Sequence, residues 1–423
     1  MARAIDSGGA FDVAVVGAGA AGLWAAERAA REGSRVLLLE KTPRTGTKVL
    51  ASGGSRCNLT TTLEPAEALP WFGPAGARFL QEAVWNLPPA MVRARFEELG
   101  VPSVEAPLEK VFPTSGRARD VRDALERAVL DAGVHLELRA GVLGLSASGE
   151  GWQLNCAGGA VFRANRLILA TGGQSFPATG TTGDGYSWLR ELGLSLVEPV
   201  PALVPLRSPA AWVRALTGIA LPGVEVRAVS PRGRRFEPRR RPILFTHEGI
   251  SGPGAMDLSD RISRGLARGE EGWSLALDLV PDLDRETLRE RIVSGASAGG
   301  APRLSEVTDL SLPKRVWSAL GELVGLAPDP VCHELTREAR HVWVEHLKGV
   351  LIPVSGTLGF DKAEVTGGGL NLRAVCPSTC RVRGVPNLWV CGELLDLQGP
   401  IGGFSFLSAW ATAELAGADA GAC

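Results

Sequence analysis

The segment at residues 11–41, FDVAVVGAGAAGLWAAERAAREGSRVLLLEK, decides the fold of this chain. Residues 13–16 are a short Val-rich run that predicts a strand buried on both faces. An Ala-rich helical pattern follows over 23–31, and a second apolar strand is predicted over 35–39, ending at Glu40. This order of strand, glycine-rich turn, helix and strand indicates the first βαβ unit of a doubly wound α/β domain.

The turn of this unit, GAGAAG at 17–22, fits the pattern G-x-G-x-x-G. Gly17 permits the tight turn, Gly19 lets the backbone approach a pyrophosphate, and Gly22 lets helix and strand pack closely. The helix start then offers free N–H groups to the phosphates. Glu40 follows at about the 20-residue distance expected of the acid that binds the ribose hydroxyls, and its charge would repel a 2′-phosphate. We therefore predict bound NAD or FAD; the alternative is an α/β turn without a ligand.

Composition narrows the class of protein. The 423 residues suggest two or three domains, and 45% hydrophobic with 22% charged residues is typical of a soluble globular protein. A net charge of -1 argues against a general polyanion binder, and seven cysteines, an odd number, favour a reducing compartment over a disulfide framework. No uncharged apolar run reaches the roughly 18 residues of a membrane span, and the first residues lack a signal-peptide core. We therefore expect a cytoplasmic protein with no membrane partner.

Two later segments favour a flavin over a nicotinamide. The motif LILATGG at 167–173 predicts a buried strand ending in a glycine pair. Near the C-terminus, a strand at 387–390 is followed by Glu393, a glycine pair at 402–403 and a helix over about 404–415. Glu393 would bind a sugar-alcohol hydroxyl, and the positive helix start would stabilise reduced flavin. The alternative is a plain final αβ unit.

The chain resembles the HI0933-like flavoproteins, also described as aminoacetone-oxidase-like NAD(P)/FAD-dependent oxidoreductases. The resemblance covers nearly the whole chain. It rests on the ordered motifs GAGAAG (17–22), GTKVLASGGSRCNLT (46–60), VFPTSGRA (111–118), ATGGQSFPATGTTGDGY (170–186), PALVPL (201–206), FTHEGISGP (245–253) and CGELLDLQGPIGGF (391–404). It implies a discontinuous, doubly wound, Rossmann-like FAD-binding domain, interrupted by an insert with a β-barrel-like part and a helical part.

We place the FAD-binding domain at 1–193 and 350–423, and an inserted α+β substrate domain at 194–349. Within the insert, apolar stretches at 224–229, 242–246 and 273–279 predict short strands, and 284–293 and 312–325 predict helices. The stretch SGASAGGA at 294–301 predicts a loop.

The residues that we predict to contact the cofactor come from these motifs. They are Gly17, Gly19, Ala20, Ala21, Gly22, Glu40, Lys41, Lys48, Ser52, Gly53, Gly54, Arg56, Cys57, Asn58, Val142, Thr171, Gly172, Gly173, Gly183, Asp184, Gly392, Glu393, Gly402, Gly403 and Phe404. The resemblance places residues 52–54 and 56–58 against the FAD. Arg56 would bind a phosphate or a flavin carbonyl, and its alternative is a surface ion pair. Ser55 stands where the family usually has a third glycine, and Phe404-Ser405 stands where Tyr-Asn is usual.

The insert holds two further candidates. His247 lies in a Gly/Ser-rich loop, THEGISGP, and is a candidate acid or base; the alternative is a histidine that caps a turn. The stretch RGRRFEPRRRP at 232–242 is a candidate RNA contact, and the alternative is a solvated hairpin. Its arginines are Arg232, Arg234, Arg235, Arg239, Arg240 and Arg241.

The seven cysteines offer two further candidate sites, a flavin contact and a metal site. Cys57 is either a flavin contact or a buried small residue, and the second is favoured because no C-x-x-C pair accompanies it. Cys376 and Cys380, with Cys391 and Cys332 elsewhere, have spacing too loose for a zinc site, so we predict no metal.

The sequence thus predicts a FAD-dependent oxidoreductase. NADH or NADPH would bind transiently as the reductant, because a single dinucleotide fingerprint is present, and hydride would pass through flavin N5. Two hypotheses concern its substrate: a small unsaturated or carbonyl compound, which we favour, or uridine in ribosomal RNA. A third is a flavin-binding protein without turnover.

Overall fold

The computed structural model describes residues 11–297 and 299–422. The first strands are β1 (Phe11–Val16), β2 (Val36–Glu40), β3 (Thr60–Thr61), β4 (Ser103–Ala106), β5 (Lys110–Pro113), β6 (His135–Leu138), β7 (Val142–Ser148), β8 (Gly151–Cys156), β9 (Val161–Leu169), β10 (Leu196–Ala202) and β11 (Leu206–Arg207). The remaining strands are β12 (Ala220–Leu221), β13 (Glu225–Val229), β14 (Arg239–Arg240), β15 (Ile243–Phe245), β16 (Gly249–Ser251), β17 (Ser274–Asp278), β18 (Val350–Pro353), β19 (Gly356–Thr357), β20 (Val365–Leu370) and β21 (Leu388–Val390).

The first helices are α1 (Ala20–Arg31), α2 (Thr47–Ser55), α3 (Pro65–Ala68), α4 (Gly73–Asn86), α5 (Pro89–Glu98), α6 (Ala118–Asp131) and α7 (Asp184–Glu191). The later ones are α8 (Ala211–Ala215), α9 (Pro253–Met256), α10 (Ser259–Ala267), α11 (Arg285–Ser297), α12 (Leu304–Thr308), α13 (Lys314–Val324), α14 (Arg337–Leu347) and α15 (Phe404–Ala422). No helix in the described ranges combines the length and apolar character that crossing a membrane requires.

The main sheet has the order β6-β2-β1-β9-β8-β7, and β21 also pairs with β9. β1 lies between β2 and β9 in parallel register, with Val15 opposite Leu38 and Ile168. Strands β6 and β21 extend the parallel part, whereas β7 and β8 are antiparallel. The carboxyl ends of the parallel strands therefore meet at one edge, where such sheets bind ligands.

The two ends of the described chain pack together on this sheet. α1 lies against α15, and a Cβ added to Gly417 would stand 2.6 Å from the Ala25 carbonyl oxygen, so the two helix backbones nearly touch. The Trp24 indole N–H and the Arg28 Nε–H each donate to Glu414, both at 2.7 Å. Helix α15 also runs beyond the predicted end at 415, because its small residues stay buried as far as Gly421. The first and last motifs thus belong to one domain.

The chain divides into two compact units. Unit 1 comprises the residues up to Pro201 and from Phe360 onward, and unit 2 comprises Ala202–Gly359. The first boundary falls later than the predicted 193 because β10 pairs with β20 of unit 1. The second falls later than 349 because β18 and β19 pair with strands of unit 2. Each unit has its own apolar core.

Unit 2 combines two antiparallel sheets, in the orders β12-β15-β16-β11-β19 and β14-β13-β17-β18, with helices α8–α14. This arrangement confirms the predicted α+β insert. The predicted loop at 294–301 is wrong for its first part, because α11 continues through Ser297. Gly295 lies where a Cβ would stand 2.5 Å from the Val307 side chain, so this glycine serves helix packing instead of chain flexibility.

Candidate cofactor site

Each glycine of the first turn has a different steric role. Gly17 has φ +102°, and a Cβ there would stand 2.6 Å from the Ala170 carbonyl oxygen. A Cβ on Gly22 would stand 1.7 Å from the Gly17 carbonyl oxygen, which is a severe overlap. A Cβ on Gly19 would meet nothing within 4 Å. Glycine is therefore required at positions 17 and 22 by contacts within the protein. At position 19 it is not required by such contacts, and it leaves the space in front of the turn open.

The start of α1 opens into that space. Gly19 is the N-cap, and no side chain caps the helix. The first N–H groups of a helix have no partner within it, and they carry the positive end of the helix dipole. An open approach over Gly19, beside uncapped N–H groups, fits the diphosphate of a dinucleotide.

Glu40 is held in a fixed position at the end of β2. The Ala18 N–H donates to its Oε2 at 2.8 Å, and the Thr42 N–H donates to its Oε1 at 2.8 Å. A carboxylate has about four acceptor sites, so two remain for the hydroxyls of a ribose. The backbone bonds orient the carboxylate beside the glycine turn, and its contact with a ribose stays a prediction.

The segment before β7 lies against the same strand end. The Ala140 N–H donates to the Glu40 carbonyl oxygen at 2.9 Å, and the next residues lead to the buried Val142. Lys41 turns toward the start of α7, where its Nζ lies 2.6 Å from Asp184 Oδ2. The structure thus brings Val142, Lys41 and Asp184 to the Glu40 end of the site.

A polar network joins distant parts of unit 1. The Lys48 ammonium donates to Glu393 Oε2 and to Ser175 Oγ, both at 2.6 Å. The other carboxylate oxygen, Glu393 Oε1, accepts from the Ser175 hydroxyl and from the Thr366 N–H, both at 2.8 Å. The network therefore links Lys48 of α2 and Thr366 of β20 to Glu393, which lies in the segment after β21. It fixes the position of the carboxylate that we predict at the ribityl part of the cofactor.

The glycine pair after β9 allows the backbone to approach that network. Gly172 has φ +72°, and a Cβ on Gly173 would stand 2.3 Å from Thr366 Oγ1. The same hydroxyl oxygen accepts from the N–H groups of Gln174 and Ser175, at 2.8 and 3.0 Å. Gly183, with φ +79°, forms the N-cap of α7.

The second glycine-rich segment interrupts α2. Ser52 leaves helical geometry with ψ 149°, and Gly53 and Gly54 have φ +55° and +65°. Ser55 has φ +65° although it carries a side chain, and Cys57 has φ +60°. Left-handed backbone costs a residue with a Cβ about 1–2 kcal/mol. The loop is therefore built around left-handed backbone, and Ser55 occupies a position suited to glycine.

Three residues follow this loop: Arg56 is exposed, Cys57 is buried and Asn58 is half-buried. The Arg56 guanidinium lies 4.3 Å over the Phe112 ring, and no ion pair of Arg56 occurs among the described residues. Asn58 Oδ1 accepts from the Val111 N–H at 2.8 Å. Cys57 is fully buried, and the loss of solvent raises the pKa of its thiol to about 12. Cys57 is thus a neutral thiol, and its contact with the flavin stays a prediction.

The C-terminal glycines bring the last helix close to β3. Gly403 has φ +91°, and a Cβ there would stand 2.1 Å from the Thr60 carbonyl oxygen. Phe404 begins α15 and is fully buried, with its ring centroid 5.7 Å from that of Phe72. Gly392 has φ +71° and packs on Ala21 of α1. These glycines let the C-terminal segment pack on the glycine turn and on β3.

Three buried hydroxyls near this site have no hydrogen-bond partner in the described structure. They are Thr60 Oγ1, Thr171 Oγ1 and the Tyr186 hydroxyl. Burial, followed by the charges of Glu393 and Asp396, raises the pKa of Tyr186, so its hydroxyl is a neutral donor. These oxygens are enclosed by protein atoms and have no solvent access, so they belong to the interior of unit 1.

Sequence comparison identifies the family. The HI0933-like protein Rossmann domain matches residues 11–419 of this chain. The chain belongs to the HI0933-like family. Because the family has a FAD-binding Rossmann domain and its relatives are flavin-dependent oxidoreductases, this chain is a flavin-dependent oxidoreductase.

Two curated relatives align with the HI0933-like chain over nearly its whole length. The ribosomal RNA dihydrouridine synthase of Escherichia coli (strain K12) is 32% identical over 412 residues, which cover 95% of this chain and 96% of that protein. The 3-dehydro-bile acid delta(4,6)-reductase of Clostridium scindens is 30% identical over 414 residues, 96% of this chain and 98% of that protein.

A solved structure supports the fold. The 3-ketosteroid delta1-dehydrogenase from Sterolibacterium denitrificans aligns with a TM-score of 0.52, over 98% of this chain and 99% of that one. The sequence identity is 15%, so this likeness concerns the fold.

His247 lies at the tip of the β15–β16 hairpin, 84% exposed, with Nε2 4.0 Å from Glu248 Oε1. Its role as an acid or base stays a prediction.

Ser175, Thr366 and Tyr186 were absent from the predicted site, although Ser175 and Tyr186 lie inside the motif at 170–186. The signal that could have found them is the presence of hydroxyl side chains beside the glycine pair.

The arginine-rich stretch separates into two parts. Arg240 forms a bidentate pair with Asp282 at 2.7 and 2.5 Å, and Arg241 is buried beside Asp257. Arg239 is half-buried, and desolvation lowers its pKa. In contrast, Arg232, Arg234 and Arg235 are exposed on the hairpin turn. Within the described residues none of these three has a carboxylate partner, and Arg234 lies over the Phe236 ring at 4.9 Å.

Proposed function

We propose that this protein is a FAD-dependent reductase of a carbon–carbon double bond conjugated to a carbonyl group, with NADH or NADPH as reductant. The open space over Gly19, at the uncapped start of α1, is the observation that carries the cofactor part. It fits the diphosphate of FAD, and Glu40 stands where the ribose hydroxyls would follow.

The remaining predicted contacts fit the other half of FAD. Glu393, fixed by Lys48 and Ser175, has acceptor capacity for ribityl hydroxyls. The start of α15 at Phe404 would place a positive dipole end toward the flavin. Cys57 stays protonated, so it would not compete as a nucleophile.

The names of the relatives point to one class of substrate. Uridine and an unsaturated 3-oxo bile acid both contain a double bond conjugated to a carbonyl. Bound FAD would supply a hydride from N5 to the β-carbon of such a bond. The protein would orient the substrate and supply the proton that the α-carbon takes up, and His247 is our candidate for that donor. We favour a small substrate, such as a steroid enone.

Anaerobic spectroscopy of the purified protein tests this function. The flavin absorbance should bleach with NADH or NADPH and recover when a 4-en-3-one steroid is added, with one saturated product per flavin. A preparation that is colourless and refuses added FAD contradicts the cofactor assignment. A flavin that the two nicotinamides reduce no faster than free FAD indicates the binding protein without turnover.

A second candidate substrate is uridine in ribosomal RNA. The exposed Arg232, Arg234 and Arg235 favour it, because arginines without carboxylate partners are available to phosphates. The triple alanine variant at these positions should weaken RNA binding and lower the slope of log K against log salt by about three units. Reduction of the steroid enone should be unchanged.

Arg240→Ala is the matched control for that experiment. It removes the same charge from the same stretch, but its guanidinium is paired with Asp282. It should therefore change RNA affinity much less than any one of the three exposed arginines. If RNA reoxidises the bleached flavin and the steroid enone does not, uridine in RNA replaces the small enone as the favoured substrate.

A further inference from the structure

A short loop in unit 1 places two cysteines on one closed turn. The sequence CPSTC spans residues 376–380 and leads toward β21. The Cys380 N–H donates to the Cys376 carbonyl oxygen at 2.8 Å, and the Cys376 N–H donates to the Arg381 carbonyl oxygen at 2.8 Å. A bridge between Val375 and Val382 closes the base of the loop. The bond from the Cys380 N–H to the Cys376 carbonyl oxygen closes a five-residue turn. The two Cα atoms of such a turn lie about as far apart as those of a disulfide.

Cys376 is the accessible member of this pair. Its side chain is partly exposed, and its Sγ lies 3.3 Å from the Ser378 hydroxyl oxygen. Hydrogen bonds from Ser378 and Thr379, together with the charge of Arg383, lower the pKa of the Cys376 thiol. The thiolate is the nucleophile in cysteine chemistry, so Cys376 is the sulfur that reacts first with a small oxidant.

Cys380 is the enclosed member. It is fully buried with φ +59°, and burial raises its pKa well above the ordinary thiol value. The charges of Cys391 and Cys376 raise this pKa further. Cys391 is also buried, and its pKa is raised to about 12. The pair thus has one reactive and one protected thiol, and Cys391 is the rival partner.

We propose that Cys376 and Cys380 form a peroxide-sensitive dithiol, a modification site that closes to an intrachain disulfide. The Cys376 thiolate attacks one oxygen of hydrogen peroxide, the O–O bond breaks, and hydroxide leaves, which gives a sulfenic acid. The Cys380 sulfur then attacks the Cys376 sulfur, the S–O bond breaks, and the departing hydroxide takes the Cys380 proton. In total two thiols and one peroxide give one disulfide and two waters.

The loop is in direct contact with the strand that leads to Glu393. The Cys380 carbonyl oxygen accepts from the Val390 N–H at 3.0 Å, and Val390 ends β21. Arg381 forms a bridge with Trp389 of the same strand. The oxidised and reduced loops therefore differ beside the segment that carries Glu393, whichever substrate the enzyme reduces.

Peptide mass analysis of the full-length protein tests the dithiol directly. The protein is treated with excess hydrogen peroxide, alkylated with N-ethylmaleimide under denaturing conditions and cleaved with trypsin. Both cysteines fall in one tryptic peptide, AVCPSTCR at 374–381, and Cys391 falls in another that begins at Gly384. We expect peptide 374–381 to carry no alkyl group, to be two hydrogens lighter than its reduced form, and to regain two alkylation sites after dithiothreitol treatment.

Other masses overturn the proposal. They are a peptide 374–381 that stays fully alkylatable, one in which Cys376 carries two or three oxygens while Cys380 is alkylated, or one cross-linked to the Cys391 peptide. Cys380→Ser should convert the disulfide product into an oxygenated Cys376. Cys391→Ala, which removes only the rival partner, should leave the two-hydrogen loss intact. The wild-type measurement alone decides the outcome if either variant fails to fold.

Discussion

The two glycine-rich segments of unit 1, at 17–22 and 52–57, need their glycines for different reasons. At Gly22 the requirement is space, because a Cβ would overlap the Gly17 carbonyl oxygen at 1.7 Å. At Gly54 the requirement is backbone angle, because φ is +65° while the surrounding space is open. Glycine is thus needed for lack of space at one position and for its backbone angle at the other, and substitutions can separate these two constraints.

Gly22→Ala should have the largest effect. A methyl group cannot move away from a backbone oxygen, so helix α1 must shift from β1, and we expect a loss of about 3 kcal/mol or more in the free energy of unfolding. Urea unfolding followed by circular dichroism measures this loss. A variant with wild-type stability would show that the turn relaxes freely, which would remove the steric interpretation of Gly22.

Gly19→Ala should separate cofactor binding from stability. The position has φ -80° and open space, so alanine fits the folded protein without FAD. The methyl would occupy the approach of the diphosphate, and we expect FAD affinity to fall by roughly 30-fold, about 2 kcal/mol. Flavin titration gives the affinity, and the melting temperature of the apoprotein is the control. Unchanged affinity would place the diphosphate elsewhere.

Gly54→Ala should cost stability through its backbone angle alone. No atom lies within 4 Å of the added Cβ, so the expected loss of about 1 kcal/mol comes from left-handed φ. Gly144→Ala is the matched control, because Gly144 also has open space but lies outside the left-handed region. Equal losses in both variants would contradict this account.

Ser55→Gly should have the smallest effect and the opposite sign. Ser55 is exposed with φ +65°, so its side chain contributes strain and little packing. Relief of that strain is partly offset by the greater freedom of glycine in the unfolded chain, and we expect a gain of about 0.5 kcal/mol. Chemical denaturation of the two proteins side by side measures it. A loss of stability would mean that the Ser55 side chain has a role in the loop.

The sequence predicted the parts of the molecule that depend on local geometry. The roles of Gly17 and Gly22 follow from their spacing between a strand and a helix, and the structure shows a steric reason for both, whereas Gly19 has open space and its role at the diphosphate stays a prediction. The helix over 285–297 was cut short in the prediction, because Gly295 is typical of a loop until Val307 packs against it. Likewise, six arginines in one stretch look alike until Asp282 and Asp257 pair with two of them.

By itself the sequence determined the βαβ unit, because spacing of a few residues fixes turns and helix starts. Its ordered motifs carried the resemblance to the HI0933-like family, and that resemblance implied the flavin chemistry. Only the tertiary structure decided that Lys48 holds Glu393 from 345 positions away and that Ser175 and Thr366 complete the same network. Such contacts depend on how strands are ordered in the sheet, and strand order is set by packing between distant segments and not by any local pattern.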